Sequence, residues 1–447
     1  MTSNVSIGRI NCAEANISMM SPDMVRKLDI SLEKLKSILE RNNWGIIMEN
    51  LSKLESCTAA DVLEGLMPVM EEFASKPECG WLSFICNETV AYMFPENFTS
   101  AASEEQMRAM KFFMESYRML LRSEAENKSF SPTDNLYLLK EREISECANV
   151  DEYRHLKEIW KKHYLFEFMR INREITPFNT IGHIGGVHHV ALYIGRQLAG
   201  TDVPIDISLV SGAAACHDLG KFGCRPEEAS RVPYLHYYYT DRFLTSEYMP
   251  MIAHIASNHS TWDLELENLS IESLILIYAD FRVKSVREQG VEHVRFYTLD
   301  ESFQVILDKL DNVDRAKRQR YEKVYAKLKD FEGYLISLGV ETDIDRKPSE
   351  NAGEGRKNHS LLSGNEVVEA LKYTAIEHNI RIMSIFNNES AFGSLIEAAR
   401  SERQWKNQRA YIDILSEYHS YMTKQEKTLT LAFLYDLLAH REGDIRR

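Results

Sequence analysis

The apolar residues of this chain recur at helical spacing almost throughout. Within 31–54, Leu32, Leu35, Ile38 and Leu39 fall on one face of a helix. Similar stripes run through 62–73, 107–121 and 153–169, while the alternating runs typical of strands are scarce. The pattern predicts an all-α protein that opens with a helical N-terminal region over residues 1–170.

The rest of the chain also divides by pattern. A helical region is predicted for 171–344, and its amphipathic stretch 308–332 should pack back on the core. Residues 345–365 have no apolar face and carry Pro348, Gly353 and Gly355, which predicts a linker. Residues 366–447 are again predicted to be helical.

The run 429–438 and the turn after it resemble the first helix and turn of a HEAT repeat. We therefore expect a helical-repeat continuation if this chain is the front part of a longer protein.

Composition limits the classes of protein to consider. A chain of 447 residues with 44% hydrophobic residues can form two or three folded domains. The net charge of −14 argues against a nucleic-acid partner, because phosphate backbones attract basic surfaces. There is no secretory signal pattern, and no apolar run approaches the ~18 residues that cross a bilayer. Seven cysteines without a C-x-x-C pair indicate reduced thiols. We therefore expect a cytoplasmic protein with no membrane partner.

Histidines are concentrated in one part of the chain, since 7 of the 14 lie between His183 and His259. Within this part, His217 and Asp218 place two metal-ligand side chains on consecutive residues. Gly220 then allows the backbone to turn, and Lys221 adds a cation that could meet a phosphate. Cys216 beside the pair is interpreted as a small packing residue.

Other potential ligands lie on separate predicted helices. His183 shares an apolar stripe with Val187 and Ala191, so we prefer it to His189 as a ligand, and His259 has a rival in His254. A set rich in imidazoles suits Fe, Mn or Zn better than Ca or Mg, and six ligands with one shared carboxylate are enough for two ions. The preferred set is His183, His217, Asp218, His236, His259 and Asp280.

The order of these residues resembles the HD superfamily of metal-dependent phosphohydrolases. The resemblance rests on the segments AAACHDLGK, HIGGVHHVALYIG and LIYAD, and covers about residues 177–284. The additional histidines make it similar to the two-metal subgroup that includes bacterial diadenosine tetraphosphate hydrolases. It implies a first ion bound by His183, His217, Asp218 and Asp280, and a second bound by Asp218, His236 and His259, with Asp218 bridging.

The resemblance also implies a function. We expect hydrolysis of a phosphate ester or anhydride in a nucleotide or another small phosphorylated molecule, through hydroxide that the metal generates. Asp218 and Lys221 would be catalytic, with Lys221 neutralising charge on the phosphoryl oxygens. Arg282 and Lys284 are weaker candidates for phosphate contacts. The alternative is a non-catalytic regulatory or scaffold protein, and in either case the helical flanks are candidate surfaces for a protein partner.

Overall fold

The computed structural model describes residues 22–54, 57–127, 131–259, 269–288, 291–309, 315–347, 388–403, 405–419, 422–440 and 443–446. Helices make up 72% of these residues, and the one sheet within them has two strands, which confirms the predicted all-α class. No helix in these ranges is both long enough and apolar enough to cross a bilayer. Of the predicted linker 345–365, only residues 345–347 fall within them.

Helices follow one another along the whole described chain. The first ten are α1 (Pro22–Leu28), α2 (Leu32–Arg41), α3 (Trp44–Ser52), α4 (Ala59–Glu71), α5 (Trp81–Met93), α6 (Glu104–Asn127), α7 (Glu141–Ile144), α8 (Val150–Lys162), α9 (Leu165–Ile175) and α10 (Thr180–Ala199). The central elements are α11 (Ile207–Cys216), 3₁₀ segments at Leu219–Gly223 and Pro226–Arg231, α12 (Val232–Ser246), α13 (Pro250–Ser257), α14 (Ile271–Arg282), β1 (Val283–Glu288) and β2 (Val291–Phe296). The last are α15 (Leu299–Lys309), α16 (Arg315–Ser337), α17 (Glu389–Ser401), α18 (Trp405–Glu417), α19 (Lys424–Leu437) and α20 (Gly443–Arg446).

The chain divides into two compact units that interleave along the sequence. The first takes its residues from Met1–Leu138, His155–His189 and Val283–Phe296, and the second from Leu139–Arg154, Val190–Arg282 and Tyr297–Arg447. The boundaries fall inside α8 and α10, so neither helix belongs to one unit alone. This division does not test the contiguous domain limits expected from the sequence, which stay predictions.

Two of the predicted helices are interrupted, which the apolar spacing alone did not reveal. Segment 31–54 holds α2 and α3, because Asn43 takes a left-handed backbone conformation (φ 50°) between them. Segment 153–169 is divided in the same way at Tyr164 (φ 53°). Asn adopts this conformation readily, whereas a bulky residue needs tertiary contacts to hold it. The Tyr164 hydroxyl donates to Glu115 (2.8 Å), and the Arg118 guanidinium lies 4.4 Å from its ring centroid.

The first unit also contains a β-hairpin in a segment that we predicted to be helical. Strands β1 and β2 are antiparallel, with Val283 opposite Phe296. Gly186 on α10 lets the hairpin approach, because a Cβ at that position would lie 2.9 Å from the Val283 side chain. We predicted that 171–294 is helical. This prediction is wrong at the hairpin, whose two strands contain several valines.

The second unit has a core built around α11. Every residue of α11 from Ser208 to Cys216 is buried, and α13 and α14 pack against it. Small side chains at 212–216 allow this close approach. Helix α16 buries Val324, Leu328 and Leu335, which confirms the predicted amphipathic helix over its described part.

The C-terminal part of the second unit is helical, as predicted, wherever it is described. Helix α19 packs against α17, and α20 follows after a short break. Residues 366–387 of the predicted helical region lie outside the described residues. The likeness of 429–438 to a HEAT repeat stays a prediction.

Two buried carboxylates hold the starts of α11 and α14, the helices that lead to His217 and Asp280. Asp206 accepts the backbone N–H groups of Ser208 (2.9 Å) and Asn149 (2.8 Å). Glu272, in the first turn of α14, accepts the backbone N–H of Asp206 (2.9 Å). Burial raises the pKa of Glu272 to about 7, because the charged form loses its hydration.

We predict that ionisation of Glu272 weakens the folded protein as the pH rises. Its folded-state pKa lies above the ordinary value of 4.5, so its stabilising contribution is complete below that pH and is lost as the pH rises through about 7. Glu272→Gln keeps an acceptor for Asp206. Its free energy of unfolding should increase relative to the natural chain between about pH 5 and about pH 8, by at most about 3 kcal/mol. Urea unfolding across this range measures the difference, and a difference that does not change with pH would contradict the prediction.

Candidate metal centre

The His217-Asp218 pair lies at the end of α11, inside the second unit. His217 follows the last helical residue, and the 3₁₀ segment Leu219–Gly223 begins directly after Asp218. Both side chains are buried. The Nδ1 atom of His217 lies 2.8 Å from the carbonyl oxygen of Ala214. Because a carbonyl can only accept, Nδ1 carries the proton and Nε2 keeps its lone pair.

His236 and His259 are oriented by the same kind of contact. Nδ1 of His236 lies 2.8 Å from the Val232 carbonyl oxygen, one turn earlier in α12. Nδ1 of His259, two residues beyond α13, lies 2.6 Å from the Ala256 carbonyl oxygen. Hydrogen bonds of this kind fix both tautomer and ring orientation in metal-binding histidines. Nε2 is therefore the available ligand atom in all three imidazoles.

These three Nε2 atoms converge on the carboxylate of Asp218. Its Oδ2 lies 3.5 Å from Nε2 of His217. Its Oδ1 lies 3.7 Å from Nε2 of His236 and 3.9 Å from Nε2 of His259. The Nε2 atoms of His236 and His259 are 3.1 Å apart. The four side chains come from the ends of α11 and α13 and from the first part of α12, so the tertiary fold brings them together.

The donor atoms of Asp218, His236 and His259 fit one divalent ion. All three lie within 4.8 Å of one another, and all three side chains are buried. Two atoms that each bind an ion at about 2.0–2.1 Å can be at most about 4.2 Å apart, and the observed separations are shorter. Two imidazoles and a carboxylate match the ligand preferences of Zn, Fe or Mn.

Burial keeps these imidazoles neutral. Burial, together with the positive charge that a protonated His259 would carry, lowers the pKa of His236 to about 3. Burial also lowers the pKa of His259, although the negative charges of Asp280 and Asp218 partly oppose this effect. Neutral imidazole is the form that binds a metal.

Lys221 and Gly220 hold the turn that follows Asp218. The Lys221 ammonium donates to Oδ2 of Asp218 (2.6 Å), and the lysine side chain is partly exposed. The backbone N–H of Gly220 donates to the Thr240 hydroxyl (2.9 Å), which itself donates to the His217 carbonyl oxygen (3.0 Å). This bridge ties the turn to α12, the helix that carries His236.

The two remaining predicted ligands are less buried than these four. Asp280 is half-exposed near the end of α14, and no set of three mutually close ligand atoms within the described ranges includes it. Its charge nevertheless acts on His259. His183 lies on the part of α10 that belongs to the first unit and is half-exposed, whereas the stripe that begins at Val187 is buried. The apolar stripe predicted that His183 points into the core, but the residue is only partly buried. The role of His183 as a metal ligand stays a prediction.

The other residues considered for this site lie in different environments. His254 is absent from the sets of close ligand atoms in the described chain, and burial lowers its pKa. His189 packs against Phe296, with ring centroids 6.1 Å apart. Arg282 donates to the carbonyl oxygens of Tyr297 (2.7 Å) and Thr342 (2.7 Å), which is a structural role rather than a phosphate contact. Cys216 is buried, as expected of a packing residue.

Sequence reasoning missed two residues beside the centre. Thr240 was not considered, and nothing in the sequence connects it with Gly220, 20 residues earlier. Tyr237 stands in a run of three tyrosines, and the sequence does not distinguish it from its neighbours. Its ring centroid lies 3.9 Å from that of His236 and 4.6 Å from that of His259.

The chain matches no protein-family profile, no curated protein and no solved structure. The geometry of the centre and the order of its residues are therefore the basis for any functional proposal.

We predict that Gly220 cannot be replaced without loss of stability. A Cβ at this position would lie 2.0 Å from the His236 carbonyl oxygen and 2.4 Å from the Thr240 nitrogen, both backbone atoms. Gly220→Ala should lower the free energy of unfolding by about 2 kcal/mol or more, because the turn must move away from α12.

Gly333, inside α16, is the matched control because a Cβ there would contact nothing within 4 Å. Gly333→Ala should leave stability unchanged or raise it by up to about 1 kcal/mol. Urea unfolding of both variants measures the contrast. Equal stability of Gly220→Ala and the natural chain would show that the close approach is wrong.

Proposed function

We propose that this chain is a metal-dependent phosphohydrolase of the HD type, acting on a nucleotide or another small phosphate ester or anhydride. The order of its histidines and aspartates supports the class, and the convergence of His217, His236 and His259 on Asp218 supports a metal centre. The reaction proposed is hydrolysis of a P–O bond, in which water supplies the hydroxyl group and the leaving oxygen takes up a proton.

One observation carries the proposal. The Nε2 atoms of His236 and His259 lie 3.1 Å apart, and each Nδ1 lies at hydrogen-bond distance from a carbonyl, which favours the tautomer with its proton on Nδ1. In that tautomer the two Nε2 lone pairs face each other. Such an arrangement is repulsive unless a cation lies between the rings. Asp218 supplies the negative charge that a metal cation would require at the same place.

The donor set selects the kind of metal. Nitrogen-rich sites with one carboxylate favour Fe, Mn or Zn over Ca or Mg. When bound, the ion would supply polarisation of a phosphoryl oxygen and activation of water, which phosphate hydrolysis requires. The proposal also includes the other ion that the resemblance implies, with His183, His217, Asp218 and Asp280 as its ligands and Asp218 as the carboxylate shared by both ions.

Lys221 is the residue that we propose to meet the substrate. Its ammonium lies 2.6 Å from Oδ2 of the buried Asp218, yet 39% of its side chain is exposed. The Lys221 side chain therefore contacts the buried carboxylate and also reaches solvent. It would attract the phosphoryl group of an incoming substrate and neutralise charge that builds up on its oxygens.

Activity assays with a matched pair of histidine variants test the proposal. The full chain is supplied with Mn²⁺, Fe²⁺ or Zn²⁺ and assayed with mononucleotides, cyclic nucleotides and dinucleotides. Asp218→Asn and His259→Ala should each lower metal-dependent turnover by at least about 100-fold, because they remove groups expected to bind the ion directly. His254→Ala removes a half-buried histidine of the same segment from outside the centre and should retain turnover.

Turnover that needs no metal, or that falls equally in the His254 and His259 variants, would contradict the proposal. A chain that binds no metal in any of these solutions would favour the alternative, a regulatory or scaffold protein without catalysis.

A further inference from the structure

Three consecutive tyrosines on α12 lie in three different environments. Tyr239 is buried, and its hydroxyl donates to Glu228 (3.1 Å). Tyr238 is half-buried and packs against Tyr239, with centroids 5.2 Å apart. Tyr237 is also half-buried, but it lies against the imidazoles of the metal centre. The ring contacts therefore distinguish Tyr237 from the other two tyrosines.

The ring of Tyr237 contacts two proposed ligands at once. It is tilted by 38° to the ring of His236 and by 52° to that of His259, with centroids 3.9 and 4.6 Å away. The two imidazoles are themselves 5.1 Å apart. Both imidazoles are also held by their Nδ1 contacts with backbone carbonyls. Tyr237 thus places a partly exposed aromatic ring directly beside the proposed ligand atoms.

We propose that Tyr237 forms the aromatic side of the substrate site at the metal centre. It would select phosphate esters whose organic part is a flat aromatic group. The inference rests on the proposed function, in which the ion and Lys221 take the phosphoryl group. The organic part must then lie beside that group, and Tyr237 supplies the aromatic surface there. Aromatic rings stack on one another with offset faces, and a nucleobase gains about tenfold or more in affinity from one such contact. Tyr237 therefore acts as a specificity residue and not as a metal ligand.

Binding of two ligands that differ only by a base tests this inference. The probes are AMP and ribose 5-phosphate, with inorganic phosphate as a third, and the protein is the full chain loaded with Mn²⁺. The natural chain should bind AMP about tenfold more tightly than ribose 5-phosphate. Tyr237→Phe keeps a ring and should keep this ratio. Tyr237→Leu should reduce the ratio to about one while affinity for inorganic phosphate and the Mn²⁺ content stay unchanged.

Tyr238→Leu is the matched control, because it makes the same change one residue further along α12 and away from the imidazoles. It should keep the preference for AMP. An AMP preference that survives in Tyr237→Leu, or that is missing from the natural chain, would overturn the inference while leaving the metal-dependent function intact.

Two further outcomes also decide the question. If Tyr237→Leu loses Mn²⁺ and inorganic phosphate together, the ring positions the histidines and the proposed role is wrong. If the natural chain binds neither Mn²⁺ nor inorganic phosphate, the proposed function fails, and this inference fails with it.

Discussion

The candidate centre depends on one constraint, the direction of three imidazole rings. Each of His217, His236 and His259 has its Nδ1 at hydrogen-bond distance from a carbonyl three or four residues earlier. The helices that supply these carbonyls thus determine where every Nε2 lone pair points. The three Nε2 atoms are gathered around Asp218, and this arrangement is the basis of the proposed metal centre. Burial disfavours a protonated imidazole at this place, because the charged form loses its hydration.

The surrounding fold maintains this arrangement through backbone contacts. Glu272 and Asp206 tie the starts of α14 and α11 together, so the helices that end near Asp280 and His217 share one anchor. At the other end of α11, Gly220 allows the turn to lie against α12, and Thr240 bridges the two. The candidate metal ligands therefore lie at or near the ends of helices whose positions are fixed elsewhere. This pre-organisation is what a metal centre with little freedom to rearrange requires.

The parts of this structure that could be predicted are those that depend on residue type and local spacing. Helical periodicity identified the all-α class, and the order of His217, Asp218, His236 and His259 identified the residues that converge. The break at Tyr164 and the β-hairpin escaped prediction because they depend on contacts made by residues distant in sequence. For the same reason nothing in the run of three tyrosines distinguished Tyr237 from its neighbours until the direction of α12 was known.

X-ray absorption spectroscopy at the zinc edge of the zinc-loaded full chain tests the central claim most directly. The account predicts a coordination shell with nitrogen donors at about 2.0–2.1 Å and the outer-shell scattering of at least two imidazole rings. In the double variant His236→Ala/His259→Ala the imidazole scattering should weaken or disappear. A shell of oxygen atoms alone, or a spectrum that the double variant leaves unchanged, would contradict the claim that these histidines form a metal centre.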